Sequence, residues 1–428
     1  MIFSRPNFRE RLKNNIPLLC YVLILGVELI AIHNASDLPS SLNNWLSKSR
    51  SIASFNIPED NFYGPGSAIL LLPFILIPEK LFLANLFYFG LGAIAYWKIS
   101  MCIRNSTVRY VAAIALPLNF YLVWLINSSQ DTVFEFCLLA WSIYFLTKKR
   151  YLLFAGITFA LCESRSGYWV FFLGTSALLI ILDKLRKNRF VWKKIVAVPL
   201  LIIASIFNFA AYESPSPALE GGLALYFSYT KYHYLSLPKM DMDVFLSGPK
   251  GPFSENFSPN IPSGSTPAEV NAIYGKAGIR SAIENPKETT LGWMQKFDSY
   301  LFDVQKIPHL PGAYVLDQEK KIIEIQNERL TWTLVLGNLL YMIWRALFVI
   351  FGLLGIGLFI ASNYFKFGSE KMSLKLWPML LPYLFGLIPG LLIYTETRFK
   401  IVSEMLLVPL IAEIFAIAIS RRKANSQN

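Results

Sequence analysis

Gly66-Ser67-Ala68-Ile69-Leu70-Leu71-Leu72-Pro73-Phe74-Ile75-Leu76-Ile77, closed by Pro78-Glu79-Lys80, is the stretch on which the topology turns. A hydrocarbon core of about 30 Å takes about 20 residues of helix. This run is much shorter than that, and Pro73 interrupts it. If it crossed nonetheless, Lys98, Arg104 and Arg109 would fall outside the membrane and every later loop would invert its charge bias. Treated as re-entrant or interfacial, it leaves the basic clusters on one side. The sequence therefore predicts a segment here that enters the membrane without spanning it.

Working outward, apolar runs at 16–33, 82–100, 108–127, 131–147, 151–163, 167–183, 194–212, 340–362, 376–395 and 399–420 predict about ten transmembrane helices. A hydrophobic content of 54% over 428 residues, with mean hydropathy +0.44, excludes an ordinary soluble domain. The net charge of +12 lies in clusters between apolar runs, at Arg5–Lys13, Lys148–Arg150, Asp183–Lys194, Lys366–Lys375 and Arg421–Lys423. That is the bias of cytoplasmic loops, and it excludes a nucleic-acid partner. Both termini are then cytoplasmic. The basic Arg5–Lys13 ahead of an apolar run has the form of a signal peptide, but Ile16–Ile32 is long for one and no small-x-small cleavage site follows. An uncleaved first span is expected. Cys20, Cys102, Cys137 and Cys162 have no paired spacing and read as free thiols, and His33, His233 and His309 form no zinc pattern.

The fold class expected is an all-α polytopic membrane protein, with amphipathic and re-entrant helices in the first outer loop and a partly helical outer segment. Its domains would be an N-terminal transmembrane module at 1–212, which includes that first outer loop at 34–80, a non-cytoplasmic loop domain at 213–335, and C-terminal transmembrane helices at 336–428. In the first outer loop, Leu42, Trp45, Leu46 and Ala53 recur at near-helical spacing, predicting a helix on the membrane surface. In the loop domain, Thr266, Pro267 and Glu269 form a capping-box start for a helix running to Glu284, before Pro286. A second, amphipathic helix carrying Leu291, Met294, Phe297 and Leu301 would follow and rest on the bilayer.

This topology sorts the unusual charges onto the outer side. Asp37, Glu59, Asp60, Asp131, Glu163, Arg165, Glu396, Arg398 and Lys400 fall at outer ends of spans or in outer loops, with Glu135 and Arg345 close by. Charge near hydrocarbon is costly, so their gathering points to a polar cavity under the outer segment. Each has a plainer reading. Asp37 could be solvated, Glu59-Asp60 could be a polar turn, and Asp131 could cap its own helix. Glu163 and Arg165 could be a local ion pair, and Arg398 and Lys400 could mark a hairpin.

Four short motifs carry a resemblance. Thr395-Glu396-Thr397-Arg398-Phe399-Lys400-Ile401 resembles the arginine-bearing segment near the end of C-type (GT-C) membrane glycosyltransferases, in particular bacterial protein O-mannosyltransferases and aminoarabinose transferases. Asn61-Phe62-Tyr63-Gly64-Pro65-Gly66 resembles their tyrosine/proline/glycine stretch in the first outer loop. Leu161-Cys162-Glu163-Ser164-Arg165 resembles their arginine-containing break after the fifth span. Leu219-Glu220-Gly221-Gly222-Leu223-Ala224-Leu225-Tyr226 resembles the start of their outer segment.

The resemblance implies transfer of a sugar, with inversion, from a polyprenyl-phosphate donor to a protein, glycan or lipid acceptor on the non-cytoplasmic face of a bacterial inner (plasma) membrane. Asp37 would be the base, with Glu59 or Asp60 positioning the acceptor or replacing it. Arg398 would stabilise the departing phosphate, and Arg165, Lys400 and Arg345 are further phosphate-binding candidates. Tyr63, Asp131, Glu163 and Glu396 would line the substrate cavity. No metal is obligatory, although Asp37, Glu59 and Asp60 could supply hard oxygen ligands to a divalent cation. Two alternatives stay open: a transporter or flippase for a lipid-linked saccharide, and a non-catalytic membrane subunit derived from such an enzyme that docks a partner.

Overall fold

The computed structural model describes residues 22–27, 30, 42–56, 65–76, 81–127, 131–185, 192–214, 216, 221–229, 259–302, 314–317, 322–325, 330–364, 375–392 and 397–425. The described residues are overwhelmingly helical. Four stretches of helix are long and apolar enough to cross a membrane: Phe82–Ser100, Tyr168–Leu185, Val335–Ala361 and Lys400–Ser420. Thr132–Thr147, Tyr151–Ser164, Ala197–Tyr212 and Trp377–Leu392 are shorter apolar helices.

The first outer loop contributes α1 (Leu42–Ala53) and α2 (Gly66–Leu71), the latter continued by a 3-10 turn at Leu72–Phe74. At 1.5 and 2.0 Å per residue, α2 and its turn extend only about 15 Å, half of a hydrocarbon core. Trp45, Leu46 and Ser49 of α1 are buried. Ser49 Oγ donates to the carbonyl of Ala68 in α2 at 2.7 Å. The apolar face of α1 thus covers α2, and it is Phe55, 98% exposed just beyond its end, that projects outward.

The first bundle follows as α3 (Phe82–Ser100), α4 (Ser106–Ile114), α5 (Phe120–Asn127), α6 (Thr132–Thr147), α7 (Tyr151–Ser164), α8 (Tyr168–Leu185) and α9 (Ala197–Tyr212). The sequence predicted one span over 108–127, and the structure corrects it to two helices. Pro117 removes an amide and disfavours helix at Leu116, and Asn119 restarts the chain by accepting from the Leu122 amide at 3.1 Å.

Beyond α9 come α10 (Gly221–Tyr229), α11 (Pro267–Glu284) and α12 (Pro286–Phe302). The expected capping box is present at the start of α11: Thr266 Oγ1 accepts from the Glu269 amide, and Glu269 Oε2 accepts from the Thr266 amide at 2.8 Å. Strands β1 (Tyr314–Asp317) and β2 (Ile322–Ile325) pair antiparallel, Tyr314 with Ile325. This short pair lies in the segment expected to be only partly helical and leaves the all-α class standing; β-branched and aromatic residues supply the strands. The chain closes with α13 (Leu330–Tyr364), α14 (Leu380–Leu392) and α15 (Thr397–Asn425). α13 begins ten residues before the predicted 340–362 span, so the loop domain expected to reach 335 already ends in helix.

Contacts among described residues sort the bundle into two ends. At one, Lys148 of the α6–α7 turn reaches Cys102 at the end of α3. There too, Lys194 Nζ contacts Asp183 of α8 at 2.5 Å. Glu413 of α15 accepts from the amides of Lys375 and Leu376 (3.1 and 2.9 Å), capping the start of the α14 region. At the other end lie α2, the α7–α8 break and α10–α12.

Candidate functional site

Arg165 occupies the break between α7 and α8 in extended backbone (φ −152°, ψ 110°). Its Nη2 lies 3.3 Å from Asp131 Oδ2, and its Nε pairs with Glu135 Oε1. Tyr168 OH, in the first turn of α8, donates to Glu135 Oε2 at 3.3 Å. One guanidinium therefore ties the starts of α6 and α8 together, and its forked donors suit two carboxylates. Asp131 makes no side-chain cap of its own helix, so its carboxylate is committed to Arg165 instead. The plain reading of Arg165 as the partner of Glu163 is likewise replaced by Asp131 and Glu135.

Gly66, the first residue of α2, meets this break directly. A Cβ there would sit 2.5 Å from both the amide nitrogen and Oγ of Ser164. Only a glycine lets α2 approach so closely, and Glu163 stands half-buried beside it. The ends of the Asn61–Gly66 and Leu161–Arg165 motifs are thus in contact.

A second polar group lies where α12 enters between α13, α14 and α15. Tyr300 OH donates to the Tyr383 carbonyl at 2.9 Å, and Tyr383 OH returns to the Tyr300 carbonyl at 3.3 Å. Arg345 Nη2 donates to the Leu301 carbonyl at 3.1 Å, a cation on the last turn of α12, and the same guanidinium pairs with Glu404. Both side chains of that pair have 0% exposure. Glu404 Oε2 is buried and has no hydrogen-bond partner among the described residues. Arg345 therefore serves as the cap of a buried helix end, and a donor phosphate would have to open its pair with Glu404 to reach it. Lys400 is also buried, at 2% exposure.

Higher on α12, Lys296 Nζ donates to Ser228 Oγ at 2.6 Å and lies 5.0 Å from the Tyr229 ring centre. Ser228 Oγ in turn donates to the Leu392 carbonyl, the last of α14, at 3.2 Å. Burial pushes the Lys296 ammonium down from 10.5 to about 7. This relay brings α10, which contains the end of the Leu219–Tyr226 motif, to Leu392, three residues before the Thr395–Ile401 motif.

Asp37, Glu59, Asp60, Tyr63 and Glu396 lie outside the described residues, and for Arg398 only the helical backbone is described. Among the described residues no three of His, Cys, Asp and Glu gather as a metal site; the three carboxylates named for a divalent cation are not among them. Sequence reasoning did not find Tyr168, Tyr300, Tyr383, Ser228 or Lys296. Glu404 had a usable signal: a carboxylate within one apolar helix and a lone arginine, Arg345, within another. No protein-family model, curated protein or solved structure matches the chain.

Proposed function

We propose that this chain is an integral membrane glycosyltransferase that moves a sugar, with inversion, from a polyprenyl-phosphate donor to an acceptor on the non-cytoplasmic face. The observation carrying the proposal is the meeting of Gly66 with the Ser164–Arg165 break, beside a guanidinium held by Asp131 and Glu135. Two motifs far apart in sequence thereby share one polar site at the end of the bundle opposite the basic loops. Further support is the Lys296–Ser228–Leu392 relay, which joins segments next to the other two motifs. On this reading about ten spans place the basic end in the cytoplasm, with α1 and α2 flanking a groove for the donor's lipid.

Displacement at the anomeric carbon needs a base for the acceptor hydroxyl and cations where negative charge grows on the leaving phosphate. Asp37 is the proposed base, with Glu59 and Asp60 positioning the acceptor. Arg398 and Arg165 are the proposed phosphate cations, with Lys400 a further candidate, while Arg345 fixes α12 through the Leu301 carbonyl and is itself held by Glu404. Asp131, Glu163, Glu396 and Tyr63 would shape the cavity.

The test is transfer from defined polyprenyl-phosphate sugars by purified protein, comparing wild type with Asp37→Asn and Arg398→Ala. Transfer that collapses in both variants supports the enzyme and its two poles. Neither transfer nor donor binding across a broad panel would sink it. A lipid-linked saccharide transporter is the second reading, favoured by the Arg345–Glu404 pair lying inside apolar helices. Donor movement across proteoliposomes without transfer would select it. Transfer that persists unchanged in both variants would remove the assigned roles.

A further inference from the structure

We propose that the basic end of the bundle carries a cleft for an anionic phospholipid headgroup, formed by Lys98, Trp141, Tyr144 and Lys148. Lys98, in the last turn of α3, places its ammonium 5.1 Å from the Trp141 ring and 5.6 Å from the Tyr144 ring of α6. Those rings stand edge to face, 87° apart with centres at 5.5 Å, and Phe145 stacks on Trp141 from behind. The Trp141 indole is held by donating to the Leu91 carbonyl at 3.1 Å. Lys148 comes from the far side of the turn to lie 5.8 Å from the same Tyr144 ring, and its Nζ is 3.5 Å from Cys102 Sγ. Two cations from two helices therefore converge on one tyrosine.

Among the described residues no carboxylate pairs with either lysine. Two acids described at this end are already engaged, Asp183 by Lys194 and Glu413 by two backbone amides. The negative end of the α3 dipole offsets part of one charge, not two. Both lysines are exposed, so an anion from outside the chain can reach them. Its place argues for the source: Lys98 lies in the last turn of a helix of membrane-crossing length, with indole and phenol rings beside it, and such rings suit the headgroup level of a bilayer. A phosphodiester seated between the ammonium groups would neutralise them while its acyl chains pack along α3 and α6. The inference is independent of the catalytic proposal, since it uses none of those residues.

The test uses full-length protein in phosphatidylcholine nanodiscs doped with either brominated phosphatidylglycerol or brominated phosphatidylcholine. Bromine quenches nearby tryptophan, and subtracting the Trp141→Phe signal isolates Trp141. Expected is stronger quenching of Trp141 by the anionic lipid, at about a fivefold preference per lysine. Lys98→Gln/Lys148→Gln should abolish the preference, Lys148→Gln alone should weaken it, and Lys149→Gln, one residue away on an exposed turn, should retain it. Equal quenching by both lipids in the wild type would overturn the proposal. So would a preference that survives in the Lys98→Gln/Lys148→Gln protein or, should the double variant not fold, one that is undiminished in the Lys148→Gln protein. Loss of the preference on adding inorganic phosphate would reassign the cleft to a soluble anion.

Discussion

Arg345 and Glu404 show what a charge inside an apolar bundle requires. Each is fully buried, and the guanidinium also holds the Leu301 carbonyl. Removing one partner strands the other, at a cost of about 3–5 kcal/mol, whereas replacing both by apolar residues of similar volume is often neutral. Arg345→Met and Glu404→Leu should each lower the thermal midpoint in detergent by many degrees, and the double variant should recover much of the loss. Additive losses would mean that the pair is not the stabilising unit. Lys296 makes a different prediction. Its ammonium is pushed down to about 7 in the folded protein by burial, against about 10.4 in an unfolded chain. Between those values the unfolded state holds the proton and the folded state does not, so this residue makes stability rise with pH across that window and leaves it flat below about 7. Midpoints measured from about pH 7 to pH 10 should therefore rise more in the wild type than in Lys296→Met. Parallel curves would show that the lysine is not desolvated as its burial implies.

At the scale of elements, glycines separate contact from tolerance. Gly66→Ala puts a methyl into the Ser164 backbone, a place that cannot give way like a flexible side chain. The overpacking should cost about 1–3 kcal/mol and displace α2 from the α7–α8 break, so donor binding should fall along with the thermal midpoint. Gly90→Ala, in the middle of α3 with nothing within 4 Å, is the control, and should stabilise by about 0.5–1 kcal/mol. Equal behaviour of the two variants would remove the argument for close packing at Gly66. The same contrast explains what the sequence made legible. The Thr266–Glu269 box and the stop before Pro286 depend on residues three apart, so local chemistry fixed α11. The shortness of Gly66–Phe74 was visible from length and Pro73. The break within 108–127 was also visible in principle, since Pro117 stands in it, but apolar content continues straight through and masked it. That α1 buries Trp45 against α2 was not legible, because an amphipathic face looks the same whether protein or lipid covers it.

For the whole molecule, the sequence predicts a sidedness of the charges but not their pairings. Loop charge and span length are one-dimensional properties, readable in order along the chain. That Arg165 would choose Asp131 and Glu135 over its neighbour Glu163, or that Arg345 would cap α12, depends on how helices pack. The two-ended arrangement nonetheless makes one prediction on which the functional proposal stands. Lys149 lies on the exposed α6–α7 turn among the basic residues, and Ser263 is exposed ahead of α11 at the other end. In a background with the native cysteines replaced by serine, Ser263→Cys should react with a membrane-impermeant maleimide on intact cells. Lys149→Cys should react only after permeabilisation. Reaction of both from one side would mean that the helices between them do not separate the two ends across a bilayer. The inverse pattern would keep the bundle but turn Arg165 and its carboxylates toward the cytoplasm. A donor presented on the outer face could not then reach them, and the transfer reaction would have to be abandoned even with every contact in the site intact.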